Sequence, residues 1–351
     1  MMTALFIISW FMILTVVLPF VKNDYWIFRI CEYPRFQKLI ICSVLLVPWV
    51  VFGDYGQLFQ HITFVLLLLS VAYLLYLVWP YLPIAKREVK SVQTADKSNQ
   101  LSIYTCNVYQ DNKDFARLIN QVKQVDPDVI FLLETDAAWE TAMDQAFSAE
   151  YPHQLKEPMP NTYGLLLYAR LPFKKATIHF LVEEDIPSVQ AQVVLPSGHP
   201  VTIWGLHPKP PVPGEDDRST AKDKELMKVA LNVKEADEST IVMGDLNDVA
   251  WSYVTDLFRK TSGLLDPRRG RGFYSTFSAN YWFMRFPLDY IFSSADFGLV
   301  HMRRMPHVGS DHFPMFIKLQ FKPSLEQVHE KPVASAEETA EAVEKATNAI
   351  D

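Results

Sequence analysis

The stretch Thr240-Ile-Val-Met-Gly-Asp-Leu-Asn247 decides the fold. Four residues suited to a buried strand run into a glycine, and the chain then turns through an aspartate and an asparagine two positions apart. The same pattern recurs along the chain. Glu134 follows Val129-Ile-Phe-Leu-Leu133, Asn107 follows Leu101-Ser-Ile-Tyr-Thr-Cys106, and His207 follows Val201-Thr-Ile-Trp-Gly-Leu206. Asp289 follows Phe286-Pro-Leu288, and Asp311-His312 precedes Phe313-Pro-Met-Phe-Ile317. One such residue is ordinary strand-end polarity. Eight of them, drawn only from Asn, Asp, Glu and His, predict a cleft where buried sheet ends.

Working outward, further strands are predicted over Gly164–Tyr168 and Val189–Leu195, and helices over Asp114–Gln124, Ala137–Phe147 and Ala221–Ala236. The last helix carries Leu226, Val229, Ala230 and Val233 on one face. Strands outnumber helices, which favours an α+β domain of two packed sheets with helices outside, over residues 101–321. Residues 85–100 read as a charged, polar linker. The tail, residues 322–351, holds 3 Lys against 7 acidic residues and many alanines. It reads as a disordered or at most weakly helical, solvated appendage.

Residues 1–84 are a membrane domain with three predicted spans. Residues 2–21 run for 20 positions without a charge, about 30 Å as helix. Leu39–Phe52 has only 14 residues and contains Pro48, so it spans or re-enters. Ile62–Ile84 is long enough, and Tyr73, Tyr76, Trp79 and Tyr81 sit in it like an interfacial aromatic belt. The first stretch lacks a basic leader and a small-residue cleavage site, so a retained anchor is favoured over a cleaved signal. Lys22, Arg29, Arg35 and Lys38 lie in the first connection, none in the second, and Lys86, Arg87 and Lys90 follow the third. That asymmetry predicts that the soluble domain lies in the cytoplasm, and a re-entrant second stretch would place it outside.

Composition excludes several classes. The chain is 49% hydrophobic with a net charge of −7, so it is neither wholly disordered nor a disulfide scaffold. Residues 1–90 carry 7 Lys and Arg against 4 Asp and Glu, leaving 26 against 36 and a net of −10 for the rest. A broadly basic nucleic-acid binder is therefore disfavoured. Cys31 and Cys42 fall in the membrane part, and Cys106 alone cannot form a disulfide within the soluble domain. Carboxylates and carboxamides are oxygen ligands for a hard cation such as Mg²⁺ or Mn²⁺, and no Cys or His pairing suggests structural zinc.

In order, these motifs are Thr-Cys-Asn at 105–107, Asp-Pro-Asp-Val-Ile-Phe-Leu-Leu-Glu at 126–134, Gly-Leu-His-Pro at 205–208, Gly-Asp-Leu-Asn at 244–247, Leu-Asp-Tyr-Ile-Phe at 288–292 and Gly-Ser-Asp-His-Phe-Pro at 309–314. Together they resemble the endonuclease/exonuclease/phosphatase superfamily. His-Pro-Lys-Pro-Pro at 207–211 resembles its membrane-anchored bacterial branch, which would place the protein in the bacterial inner or plasma membrane. The resemblance implies a four-layer αββα sandwich of two mixed sheets. It implies Glu134 as principal Mg²⁺ ligand, with Asn107 and Asp311 completing the shell. Asp245 and Asn247 would position water and bond a phosphate oxygen, Asp289 would orient His312 and favour its cation, and His207 would donate to a phosphate oxygen. Where many relatives have another polar residue two positions after the first Asn, Tyr109 stands here, so one ion is expected.

Three functions follow as alternatives. The first is a membrane-anchored phosphoesterase acting on a lipid-linked or small phosphate ester or diphosphate. The second is a nuclease of the same chemistry, with Arg268, Arg269, Arg271 and Arg285 gripping a phosphate backbone. The third is a silent scaffold, disfavoured by the intact residue set. Tyr281, Trp282, Phe283, Met284 and Phe286 read either as a buried loop or as a rim dipping into the bilayer to meet a lipid.

Overall fold

In the computed structural model, which describes residues 2–21, 23–93 and 96–349, the chain begins with helices α1 (Met2–Val17), α2 (Trp26–Ile30), α3 (Arg35–Phe52) and α4 (Leu58–Val78). Three segments, Met2–Phe20, Arg35–Phe52 and Leu58–Tyr81, are long and apolar enough to cross a membrane. The second is 18 residues long, because the helix starts upstream of the apolar run, at Arg35. Trp49 donates to Ser9 at 2.9 Å and Trp10 to Thr63 at 3.0 Å, joining the three helices by their few polar groups. The segment between α1 and α3 meets the soluble domain, as does the end of α4. Arg35 pairs with Glu32 at 3.0 Å and donates to the Trp251 carbonyl, and Lys38 donates to the Thr15 and Cys31 carbonyls; Lys22 lies outside the described residues.

The soluble domain follows in the order β1 (Gln100–Asn107), α5 (Phe115–Val125), β2 (Val129–Leu133), α6 (Ala137–Phe147), β3 (His153–Glu157), β4 (Leu165–Ala169), β5 (Phe173–His179), β6 (Ser188–Val194) and β7 (Pro200–Leu206). It continues through α7 (Thr220–Ala236), β8 (Thr240–Asp245), α8 (Tyr253–Ser262), β9 (Asp289–Ser293), β10 (Phe297–Arg304), β11 (Met315–Phe321) and α9 (Ala336–Thr347). One sheet has the order β10-β11-β1-β2-β4-β3, the other β5-β6-β7-β8-β9. This is the α+β sandwich of two packed mixed sheets flanked by helices.

Period-two alternation sorts the central strands between two cores. Ile103, Phe131, Leu167, Ile203, Ile241 and Ile291 meet between the sheets. Tyr104, Ile130 and Leu132 face outward onto Leu118 and Val122 of α5 and Trp139 and Met143 of α6. Trp204, Val242 and Phe292 pack under Leu226 and Ala230 of α7 and Leu257 and Phe258 of α8. The parallel pairs β1–β2 and β7–β8 run the same way within their sheets, so their C-terminal ends open at one edge of the sandwich.

One expectation is corrected. The tail is not a disordered appendage: α9 is capped by Ser335 and Glu338 in a reciprocal capping box, and Ala342 and Ala346 are buried against α7 and α8. Lys345 reaches Asp223 at 3.1 Å and Lys260 reaches Glu338 at 2.7 Å, so these two charges of α9 are partnered on the domain. The linker is also laid down: Val89 is buried in the inter-sheet core, and Val92 and Leu299 are joined by a backbone hydrogen bond.

Candidate active site

All eight residues chosen from sequence lie at this one edge. Asn107 ends β1 and Glu134 directly follows β2; Asp245 ends β8, paired in register with Asp289 at the start of β9. Asn107 Nδ2 donates to Glu134 at 2.6 Å and to Asp245 at 3.2 Å, so one carboxamide ties the two sheets together. His312 Nδ1 lies 2.8 Å from Asp289, and its Nε2 lies 3.5 Å from Asp245. The Asn247 amide donates to Asp245 at 3.0 Å, and its side chain donates to the Pro208 carbonyl at 2.9 Å, beside His207. Asp311 is held next to His312 by Ser310, whose hydroxyl also donates to the Asn107 carbonyl at 2.8 Å.

The backbone is bent to make this possible. Gly244 has φ +134°, and a Cβ there would come within 2.0 Å of the Leu206 carbonyl, so only glycine lets β8 pass β7 this closely. Gly164 is equally constrained: a Cβ would meet the Thr135 carbonyl at 2.0 Å, just past Glu134. Tyr109, Glu134 and Asn247 are non-glycine residues at φ of 58°, 58° and 50°. Such left-handed residues are uncommon and cluster at functional sites.

Burial sets the electrostatics. It works against the His312 cation, but the Asp289 and Asp245 carboxylates outweigh it and lift the imidazole to about 10. Burial raises Asp245, against the pull of His312. Burial likewise pushes Glu134 to about 6, with the Asn107 hydrogen bond opposing it. His207, fully enclosed and near His312, is pushed down to about 3 and is neutral. Its Nδ1 has no hydrogen-bond partner among the described residues, and its ring lies 5.3 Å from that of Tyr163. The site thus holds a cationic His312 between two carboxylates, a neutral His207 with a free ring nitrogen, and a carboxylate at Glu134.

Asp245, Asp289 and His312 form a group whose ligand atoms lie within 4.8 Å of one another, close enough to hold a metal ion. An imidazolium already placed between those carboxylates competes with that use. At the other end of the site no Lys or Arg forms a salt bridge with Glu134 among the described residues.

Sequence reasoning missed several neighbours. Tyr33 donates to the Asn247 carbonyl at 2.7 Å from the segment between α1 and α3. Lys222 of α7 is buried between Asp248, at 2.7 Å, and Asp223, at 3.0 Å; Asp248 directly follows Asn247, which was its one visible signal. Three of the four arginines proposed to grip phosphate are otherwise engaged. Arg268 is buried on Asp266 at 2.8 Å and over the Tyr290 ring at 4.0 Å, Arg269 faces Glu88, and Arg271 bonds the Val89 carbonyl.

A hydrolytic sandwich with this constellation is a recognised class. The model of the Endonuclease/Exonuclease/phosphatase family matches residues 104–312, and the chain belongs to that family, whose members are divalent-metal-dependent hydrolases of phosphoester bonds. Among solved structures, D. rerio TDP2 complexed with a single-strand DNA product is 20% identical, with TM-score 0.52, over 63% of this chain and 99% of that one. A Bacteroides thetaiotaomicron mannosyl-6-phosphatase is 17% identical with TM-score 0.51, over 63% of this chain and all 100% of its own. The human Nocturnin catalytic domain with bound sulfate is 16% identical with TM-score 0.53, over 69% and 100%. These likenesses show the shared fold. No curated protein matches the sequence at a significant level.

Proposed function

We propose that the protein is a membrane-anchored, divalent-metal-dependent phosphoesterase that hydrolyses a lipid-linked or small phosphate ester or diphosphate by in-line attack of water. The carrying observation is the Asn107 carboxamide bonded to both Glu134 and Asp245, which makes one site of residues from two sheets. Glu134, Asn107 and Asp311 would hold one Mg²⁺ or Mn²⁺. They fit it as an all-oxygen donor set, and burial without a cationic partner leaves the Glu134 carboxylate costly to keep charged. When bound, the ion supplies Lewis-acid stabilisation of a phosphate oxygen.

The chain's own groups do the rest. Asp245, fixed by the Asn247 amide, orients the attacking water and accepts from it. Asn247 and the His207 imidazole donate to non-bridging oxygens of the phosphate. His312, kept cationic and held in one orientation by Asp289, stabilises the charge that grows on phosphorus oxygens as water attacks. The three apolar helices support anchoring at a bilayer, where a tether concentrates the domain near lipid substrate. The Lys/Arg asymmetry supports a cytoplasmic domain over an extracytoplasmic one; a C-terminal phosphatase fusion should then be inactive, and an active one would reverse the side.

Hydrolysis of an aryl phosphodiester by the full chain in detergent tests the chemistry. Activity should require Mg²⁺ or Mn²⁺, be abolished by EDTA, and collapse in Glu134→Ala and His312→Ala; equal rates in all samples would remove the proposal. Efficient nicking of plasmid DNA at physiological salt would replace the lipid or small-molecule substrate with nucleic acid.

A further inference from the structure

Resting on that reading of the site, we infer that residues 281–285 form a bilayer-facing rim through which an anionic lipid headgroup reaches it. Tyr281, Trp282, Phe283 and Met284 are 58%, 79%, 54% and 46% exposed, a contiguous apolar tip on a soluble domain. The buried-loop reading of this run is thereby set aside for these four; only Phe286 is buried.

The tip is fixed at both sides. Toward the membrane domain, Gln37 Nε2 donates to the Phe283 carbonyl at 3.2 Å and to the Arg285 carbonyl at 3.4 Å. Gln37 lies in the first turn of α3, and Ile40 and Ile41, one turn further on, already show the exposed apolar surface of a lipid-facing helix. One helical turn rises about 5.4 Å, so the aromatic tip lies level with the beginning of the hydrocarbon-facing part of α3. Tyr and Trp are the residues that settle at that depth. Toward the site, the Ala279 amide donates to the Asp311 carbonyl at 2.6 Å, and the Phe277 ring lies 5.0 Å from that of His312. The loop therefore joins the membrane surface directly to the catalytic edge.

Its inner flank carries the charge. The guanidinium groups of Arg285 and Arg304 lie 5.1 Å and 4.2 Å from the centroid of Phe313, the residue after His312. Neither forms a salt bridge with a carboxylate among the described residues, and Arg285 Nε is buried without a hydrogen-bond partner. Two like charges on one ring beside the site favour an anion between them. A lipid whose tail stays in the leaflet and whose anionic headgroup lies at interface depth meets both features.

The full chain is reconstituted in phosphatidylcholine vesicles and compared with vesicles of brominated phosphatidylcholine. Trp282→Phe should remove part of the tryptophan emission that bromination quenches; an unchanged quenched amplitude would overturn insertion, whatever the state of the chemistry. On a vesicle-borne phosphodiester lipid with an anionic headgroup, Trp282→Ser/Phe283→Ser should lower kcat/KM at least tenfold while leaving soluble aryl phosphodiester turnover within twofold. Equal effects on both substrates, or none on either, would overturn the rim. Arg285→Gln should raise the KM for that lipid at least fivefold with kcat retained, and an unchanged KM would overturn the headgroup contact. Absence of any hydrolysis with quenching intact would count against the phosphoesterase reading alone.

Discussion

The hydroxyl of Tyr33 donates a 2.7 Å hydrogen bond to the backbone carbonyl of Asn247. It crosses from the segment between the first two apolar helices to the turn that carries Asp245 and Asn247, which is left-handed at Asn247. Nearby, Trp251 donates to the Glu32 carbonyl at 2.8 Å, Arg35 donates to the Trp251 carbonyl at 2.5 Å, and the Tyr81 hydroxyl donates to the Ala250 carbonyl at 2.5 Å. The N-terminal helical segment thus grips the turn that carries Asp245 and Asn247. Tyr33→Phe keeps the ring against Phe286 and removes one partly buried hydrogen bond, worth about 1 kcal/mol. If that bond holds Asn247 in its reactive geometry, kcat falls roughly fivefold with KM little changed. Steady-state kinetics and a Tm on the same sample check it; a Tm loss with unaltered kcat would make Tyr33 a packing residue only.

Asp289 and His312 act as a unit. Asn at position 289 keeps the size of the side chain but withdraws the charge that holds the imidazole cationic against burial. Loss of a positioned proton-holding group typically costs two to four orders of magnitude in rate. Asp289→Asn should therefore lower kcat by ~10²-fold or more, while the His312 ring resonances in NMR begin to titrate at a lower pH. Full activity in this variant would show that Asp289 serves only β9.

Lys222 is the cation of a buried cluster. It is Asp248's only salt-bridge partner among the described residues, and Asp223 beside it also meets Arg29 at 3.5 Å and Lys345 at 3.1 Å. The cluster therefore joins the segment between α1 and α3, α7, the turn after β8 and α9. Removing one partner of a buried pair leaves a charge uncompensated, at a cost of roughly 3–5 kcal/mol. Lys222→Met should lower the stability of the full chain by that order, read by thermal unfolding in detergent. A change below about 1 kcal/mol would show that water reaches Asp248.

The site was legible because its signal is local: each of the eight residues follows or precedes an apolar run in sequence, and the ends of parallel strands converge in space. Three of the four edge strands, β3, β5 and β10, were not. β3 is half-buried throughout and β5 mostly exposed, so neither alternates, and β10 loses its period at a bulge between Leu299 and His301. α8 had readable ends, Ser252 as cap and Gly263 at φ 72° as terminator, but Thr, Ser and Arg within it obscured the apolar face. In α9 the four-residue spacing of Ala342 and Ala346 was hidden by the acidic composition around it. The Tyr33 contact lies 214 residues from its partner, and no local pattern encodes such a pairing.

Glu225 offers a pH test away from the catalytic edge. It lies on α7, buried, accepting a 2.5 Å hydrogen bond from Ser188 of β6. Burial pushes its carboxyl up to about 7 from 4.5; Ser188 and Lys228 oppose the rise and Glu183 adds to it. Between those two pH values the folded chain holds a proton that the unfolded chain has released, so stability falls as pH rises through the window. The contribution is greatest below about 4.5 and levels off above about 7, with a span on the order of 3 kcal/mol. Glu225→Gln retains an acceptor for Ser188 and cannot ionise. Its Tm in detergent should fall less between pH 5 and pH 8 than that of the wild type, with the two curves diverging toward alkaline pH, where the variant is the more stable. Parallel curves across this range would show that Glu225 titrates as it does in the unfolded chain.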